Sequence, residues 1–507
     1  MMAAPSPFIL LDPRDDVLVC REDVAPETPM PDGAPVREAV PAGHKLARRD
    51  IADGAPVLKY GTVIGFASAP IRAGAHVHRH NLGLTDFARD ATPAVDAVPV
   101  DMLPEAGRAR FDGYLRADGQ AGTRNYIGVI ASVNCAASVC RFIAEHFRGP
   151  ALAPFGNVDG VVALGHHSGC GMDRGHGLAV LRRTIAGYVR NPNLAGVLLV
   201  GLGCEVNQIG TLLESDGLVP SPMLQGLVIQ DEGGTRATVE RGIAIVADML
   251  AEANRHRRQS LPADRLVVAL QCGGSDGYSA LTANPALGAA MDILVRHGGT
   301  AVLSETPEIW GVEHVLARRS VDAAVAGRLM ARIDWWRAQM EGQSNQMTNS
   351  PPPGNTAGGI STIFEKSLGG IMKAGTSPLR AVYDYAERIT ERGFVFMDAP
   401  GFDPVAATGQ VAGGANLICF TTGRGSVFGC KPVPSLKLAT NSAMYARMRD
   451  DMDINCGDII DAGVGIEAKS REIFETILRV ASGRATRSEA LGIGEAEFVP
   501  WAPGVVS

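Results

Sequence analysis

The segment Leu266-Val267-Val268-Ala269-Leu270-Gln271-Cys272-Gly273-Gly274-Ser275-Asp276 constrains the fold of this chain most. Its unbroken apolar run reads as a strand buried on both faces. The run stops in a thiol, two glycines, a hydroxyl and a carboxylate, and Thr282-Ala283-Asn284-Pro285 then opens a helix. A buried strand, a polar turn and a helix make up the repeating unit of a parallel sheet. Three more apolar runs end alike, in Gly165-His166-His167-Ser168-Gly169-Cys170-Gly171, Gly201-Leu202-Gly203-Cys204-Glu205 and Thr421-Thr422-Gly423-Arg424-Gly425-Ser426. In open α/β sheets, ligands bind beyond the carboxyl ends of the strands, where glycine lets backbone come close to them. These turns are therefore expected to form an active site.

Strand and helix patterns alternate over most of the chain. Strands are expected at 126–130, 161–164, 197–200, 266–270, 301–304, 394–397 and 417–420. Helices are expected at 137–146, 177–189, 238–256, 286–296 and 322–340, with a last one at 471–482. The Asn-, Ser-, Pro- and Gly-rich segment Glu341–Gly359 reads as a long loop. Ahead of all this, Val17-Leu18-Val19, Pro56-Val57-Leu58-Lys59-Tyr60 and Val63-Ile64-Gly65-Phe66-Ala67 are short β-like runs between Pro/Gly/Asp turns. We expect an α/β protein with a small β-rich N-terminal module over 1–95 and a linker over 96–110. Two α/β units, with parallel or mixed sheets flanked by helices, follow over 111–262 and 263–507. A chain of 507 residues is too long for one ordinary core.

Composition narrows the function. Hydrophobic residues make up 46% and charged residues 20%, and 60 glycines with 5% aromatics suit a loop-rich α/β enzyme. The net charge of −7, without a concentrated basic segment, argues against nucleic acid. No apolar run approaches the roughly 18 residues of a membrane span, and Met1–Asp16 lacks a leader pattern. A cytoplasmic protein is expected. Nine cysteines without a CxxC pair argue against a disulfide framework or a zinc ribbon. Cys135, Cys170, Cys204 and Cys272 each follow a strand-like run; the other five read as core residues. GxxxxGK[ST], GxGxxG between strand and helix, and HExxH are all absent, which removes the usual nucleotide cradles and the zincin motif.

Several side chains have the chemistry of a site. His76, His78 and His80 recur at period two and would share one strand face, as a divalent metal site or as a solvated strand edge. Cys170, Cys204 and Cys272 could converge on iron or an iron–sulfur cluster, or fill tight corners. Glu205, Asp276, Glu305 and Glu308 are carboxylates at strand-end turns, each a base, a ligand or a surface group. Lys366 and Lys373 could pair with a substrate carboxylate. Arg424, between two glycines, offers a planar fork to the same group.

These motifs together resemble the altronate/galactarate dehydratase family of sugar-acid hydro-lyases over nearly the whole chain. Gly43-His44-Lys45, Lys59-Tyr60-Gly61 and His76-Val77-His78-Arg79-His80-Asn81 resemble its N-terminal SAF (β-clip) domain. Gly122-Thr123-Arg124-Asn125, Gly169-Cys170-Gly171, Cys272-Gly273-Gly274-Ser275-Asp276, Pro353-Gly354-Asn355 and Thr422-Gly423-Arg424-Gly425 resemble its catalytic region. The histidine run resembles the altronate branch. Thr356 replaces a lysine usual in the family, and Ser350-Pro351-Pro352 replaces Asn-Pro-Ser.

The resemblance implies loss of water from an altronate-type aldonate, giving a 2-keto-3-deoxy sugar acid, with Fe2+ or Mn2+ as cofactor. A galactarate dehydratase, a related sulfo-lyase built from two separate chains, and a non-catalytic sugar-acid-binding relative are the alternatives. Expected catalytic residues are Glu205, Ser275, Asp276 and His44. Arg424, Asn355, Lys366, Arg124 and Asn125 are expected to bind substrate, and Cys170, Cys204, Cys272, His76, His78 and His166 to bind metal. The partner is a small sugar acid, with neither nucleic acid nor membrane, and the assembly a homo-oligomer, as a dimer.

Overall fold

The computed structural model describes residues 6–85, 89–342 and 351–504; Ser350 of the substituted motif lies outside them. The N-terminal module holds two antiparallel sheets. One orders Phe8–Ile9, Val17–Cys20, Lys45–Ala47 and His76–Val77; the other orders Pro56–Lys59, Thr62–Ala67 and Leu82–Gly83. Tyr60 and Gly61 both take positive φ (60° and 65°), as a two-residue I′ hairpin between Lys59 and Thr62 requires. The histidine run is not one long strand. Its strand stops at Val77, and the Asn81 side chain accepts from the His78 N–H at 2.9 Å, turning the chain back.

The second unit is a four-stranded, wholly parallel sheet ordered Gly160–Leu164, Tyr126–Ala131, Leu194–Gly201, Leu224–Val228. Helices Ala137–His146, His176–Val189 and Thr235–Ala253 cover it. The third is a seven-stranded parallel sheet: Leu379–Tyr383, Gly393–Met397, Thr300–Ser304, Val267–Cys272, Leu417–Thr422, Ser435–Ala439, Ile454–Asn455. A small antiparallel sheet of Gln259–Pro262, Arg110–Leu115 and Ala121–Gly122 ties the two α/β units together. The N-terminal module does not stand apart, because Val17, Ile64 and Val77 share one core with Val268, Leu294 and Phe394.

Strand order fixes where ligands can bind. Val267–Cys272 and Leu417–Thr422 are neighbours at the centre of the large sheet. The chain leaves the first toward Thr300–Ser304 and the second toward Ser435–Ala439, on opposite sides. The crevice between their carboxyl ends is the switch point. The smaller sheet has its own, between Tyr126–Ala131 and Leu194–Gly201. Two expectations change in detail. The expected loop at 341–359 contains the short helix Pro353–Ala357, and a further helix, Arg487–Ala490, follows Ile466–Ala481. Among the described residues no helix is long and apolar enough to cross a membrane.

Candidate active site

Cys272 is the last residue of its strand and is buried, its Sγ 2.8 Å from the Lys373 ammonium. Glu305 follows the neighbouring strand at φ 74°, a left-handed conformation rare outside glycine. Such an outlier is strained, and strain of this kind concentrates at functional sites. Cys272, Glu305 and Glu308 bring one ligand atom each to within 4.8 Å of one another. Lys366 pairs with Glu308 at 2.5 Å. Asp403, at the start of helix Asp403–Ala412, completes the group, because any side chain at Gly273 would strike its carboxylate. Three carboxylates, a thiol and two ammonium groups therefore gather at the switch point of the large sheet.

Burial dominates the electrostatics. It raises the Glu305 carboxyl well above the usual range, and the charges of Glu308 and Asp403 raise it further. Burial, then Glu308, push Asp403 up to about 7. Burial also lifts the Cys272 thiol, against the pull of Lys373. Burial alone would lower the two ammonium groups, but Glu308 beside Lys366 and Cys272 beside Lys373 raise both. Glu305 Oε1 is buried with no hydrogen-bond partner. A bound cation would satisfy such an oxygen and offset the like charges around it.

The segment 353–374 joins this crevice to the N-terminal module. Glu365 and Lys366 are sequence neighbours on opposite duties. Glu365 accepts from Lys45 at 2.9 Å and Lys59 at 2.8 Å, all three buried. Burial would raise its carboxyl, yet the two ammonium groups hold it at about 2. The Asn355 amide donates to the Ser275 carbonyl at 2.7 Å. Gly277 and Gly359 leave room for the Gly43 carbonyl, so the module closes directly on the Asp276 turn. Beside that contact, His44 Nδ1 lies 3.0 Å from His76 Nε2, and His78 Nε2 lies 3.2 Å from the Thr356 carbonyl. Ring centroids of His44, His76 and His78 stand 5.1–5.3 Å apart. Burial lowers all three, His76 to about 3 and His78 to about 4, which keeps the imidazoles neutral.

Other residues singled out from sequence fall elsewhere. Asp276 is buried, and Ser279, Thr440, Asn441 and the Tyr278 N–H all donate to its carboxylate, so it braces its own turn against the Thr440-Asn441 loop. Gly273–Gly277 has the Gly-x-Ser-x-Gly spacing of a hydrolase elbow, yet among the described residues no histidine bonds the Ser275 hydroxyl. Arg424 is exposed at the adjacent strand end, its N–H on the Gly274 carbonyl at 2.9 Å. Cys170 and Cys204 follow strands of the smaller sheet and Cys272 ends one of the larger, and the three do not bring their sulfurs within 4.8 Å of one another. Glu205, in that same sheet, accepts from Ser132 Oγ at 2.8 Å and the Gly203 N–H at 2.6 Å. Both ring nitrogens of His166 are used locally, by the Ala131 carbonyl and the Ser168 N–H, which leaves none for a metal. Arg124 and Asn125 precede the strand Tyr126–Ala131, at the end opposite the ligand-binding turns. Arg124 pairs bidentately with Glu489 at 2.6 and 2.8 Å, and Asn125 donates to the Asn157 and Ala253 carbonyls. These bonds all run within the fold. Asp403 escaped the sequence analysis; its one signal is the Phe402-Asp403-Pro404 turn shortly after a strand.

Comparison with known proteins places this geometry in a family. Residues 6–85 match the altronate/galactarate dehydratase SAF domain. Residues 113–254 match the second domain of D-galactarate dehydratase/altronate hydrolase. Residues 263–506 match the D-galactarate/altronate dehydratase C-terminal domain. The galactarate dehydratase (L-threo-forming) of Escherichia coli is 37% identical, over 94% of this chain and 93% of its own. The altronate dehydratases of Escherichia coli and Bacillus subtilis are 34% and 33% identical, each over 95% of this chain and 96% of its own. The chain belongs to the galactarate/altronate dehydratase family of sugar-acid hydro-lyases.

Proposed function

We propose that this enzyme removes water from an altronate-type aldonate, giving a 2-keto-3-deoxy sugar acid, in the crevice around Cys272. The observation that carries this is the group of buried Cys272, Glu305 and Lys373 with half-buried Glu308, Asp403 and Lys366, which has both the charge and the proton-transfer capacity the reaction needs. The proton next to a carboxylate is weakly acidic, so a base with a pKa near neutrality must take it while cations absorb the charge left behind. Asp403, held near that range, is the base in this proposal. Lys366 and the exposed Arg424 receive the substrate carboxylate, and Lys373 keeps the thiol side of the crevice electropositive.

The donor set also fits a divalent metal. Cys272, Glu305 and Glu308 would hold it, and the orphaned Glu305 Oε1 is the oxygen it would satisfy. Iron or manganese bound there would act as a Lewis acid toward the substrate's oxygens. His44, His76 and His78, neutral and gathered on the module that closes the crevice, form a relay able to shuttle the proton of the departing hydroxyl.

The histidine run supports the altronate type; a galactarate-type aldarate is the second reading, favoured by the 37% identity to the Escherichia coli galactarate dehydratase. Anaerobically purified, iron-loaded protein incubated with a panel of aldonates and aldarates tests both. A 2-keto-3-deoxy product from altronate is expected. Product from galactarate alone selects the aldarate reading, and product from neither class overturns the proposal.

A further inference from the structure

Six of the nine cysteines are buried, as small core residues usually are. The three exposed thiols, Cys135, Cys170 and Cys204, are not scattered. They follow three adjacent strands of the four-stranded sheet: Tyr126–Ala131 in the middle, with Gly160–Leu164 and Leu194–Gly201 on either side. All three therefore stand at the carboxyl end, around that sheet's own switch point.

Their loops are fastened to one another. The Asn134 N–H donates to the Ser168 carbonyl at 2.9 Å, and the Asn207 N–H to the Gly169 carbonyl at 3.0 Å. The Asn207 amide reaches the Ser132 carbonyl at 3.0 Å, while Ser132 Oγ holds Glu205 at 2.8 Å. Gly169, at φ 103°, is pressed against Ser132 and Val133 so closely that no side chain would fit. Glu205 and His166, placed by these bonds, set the loops that carry Cys204 and Cys170. Cys135 and Cys170 line one cavity of about 310 Å³ together with Ala502–Gly504, and Cys204 stands outside that lining on the loop that Asn207 ties to Gly169. Cys135 also sits just ahead of helix Ala137–His146.

Soft thiolates on fixed loops select thiophilic metals. A single ion needs its ligands close together. Among the described residues only Cys272, Glu305 and Glu308 bring three ligand atoms within 4.8 Å, so the exposed thiols stand wider than that. An iron–sulfur cluster, with a thiolate on each of several irons, spans a wider triangle. We propose that Cys135, Cys170 and Cys204 hold an iron–sulfur cluster through three thiolates, leaving one iron without a cysteine. Each thiol releases its proton as its sulfur–iron bond forms, and ferrous iron, ferric iron and sulfide in the ratio 1:1:2 supply the remaining atoms, so that no iron or sulfur changes oxidation state.

The full-length protein, purified anaerobically and incubated with equal ferrous and ferric iron and with sulfide, tests this after desalting. Retained iron, acid-labile sulfide and visible sulfur-to-iron charge-transfer absorption are measured. Wild type is expected to retain all three, and Cys135→Ser, Cys170→Ser and Cys204→Ser to lose roughly tenfold or more of the sulfide. Cys272→Ser is expected to retain it. Thiol alkylation of the loaded wild type, mapped by mass spectrometry, needs no variant and should find the three exposed cysteines protected. Wild type without sulfide above a sulfide-free control, unprotected thiols in the loaded protein, or a cluster lost in Cys272→Ser but kept in the other three overturns the proposal.

Discussion

Replacing Glu305 with methionine is expected to make the metal-free protein more stable while nearly abolishing turnover. Glu305 Oε1 is a buried acceptor without a donor, a defect that costs about 1–3 kcal/mol. Glu308 and Asp403 add like-charge repulsion at the same place. Methionine has similar length and no charge to desolvate, so it relieves both terms, while the strain of φ 74° remains in either protein. The metal-free variant should therefore gain about 1–3 kcal/mol. It also lacks one of three metal ligands, so manganese or iron affinity should fall by roughly tenfold or more, a loss at least as large as outer partners of a metal site cause. Thermal melting of the metal-free proteins and calorimetric titration with manganese read the two effects separately. Lower stability with unchanged metal affinity would show that Glu305 serves the fold, and would refute the assignment of this crevice as the metal site.

Arg424→Lys should cost about 2–3 kcal/mol in kcat/KM, a charge-assisted bidentate contact reduced to a point charge, with melting unchanged because the side chain is exposed. Glu365→Ala should destabilise by about 3–5 kcal/mol, since it strands the buried ammonium groups of Lys45 and Lys59, and hydrogen exchange should locate the loosening between the N-terminal module and segment 353–374. Two pH effects of opposite sign follow from the buried groups. Asp403 binds its proton more tightly folded (about 7) than unfolded (about 3.8), so metal-free stability should fall as pH rises through that window, and Asp403→Asn should flatten the fall. His76 and His78 are lowered from 6.5 to about 3 and about 4, so their contribution is present above 6.5 and is lost as pH drops through that lower range; replacing both with Gln should reduce acid sensitivity in melts.

Much of the fold was legible because its strands are buried on both faces and end in glycine. Helix Ala137–His146 and the centre of the large sheet follow from apolar runs alone. The strands missed are those whose apolar run is broken: Leu224–Val228 by Gln225 and Gly226, Leu379–Tyr383 by Arg380, Ser435–Ala439 by the buried Lys437. Of the site, Cys272, Lys366 and Lys373 stood out because they flank glycine turns, and Glu305 and Glu308 because they follow a strand. Asp403 did not, since its place depends on a crossover that brings a distant helix over Gly273. The strand-end rule also selected too widely. It takes in Glu205 and Asp276, whose oxygens are occupied by neighbouring donors, and no local pattern distinguishes a carboxylate that braces a loop from one left free. Motif resemblance pointed to Arg124 and Asn125, whose partners Glu489, Asn157 and Ala253 are far off in sequence.

The central claim is that the sugar acid loses its α-proton in the Cys272 crevice, to Asp403. The most direct measurement compares wild type with Asp403→Asn, both metal-loaded, in deuterated water. Altronate binding is followed by calorimetry, and deuterium exchange at the α-carbon and keto-acid formation by NMR. The account predicts that Asp403→Asn binds substrate within severalfold of wild type but loses exchange and product together, by about 10²–10⁴-fold. Exchange and product at wild-type rates in that variant would contradict it and move the base to another part of the molecule.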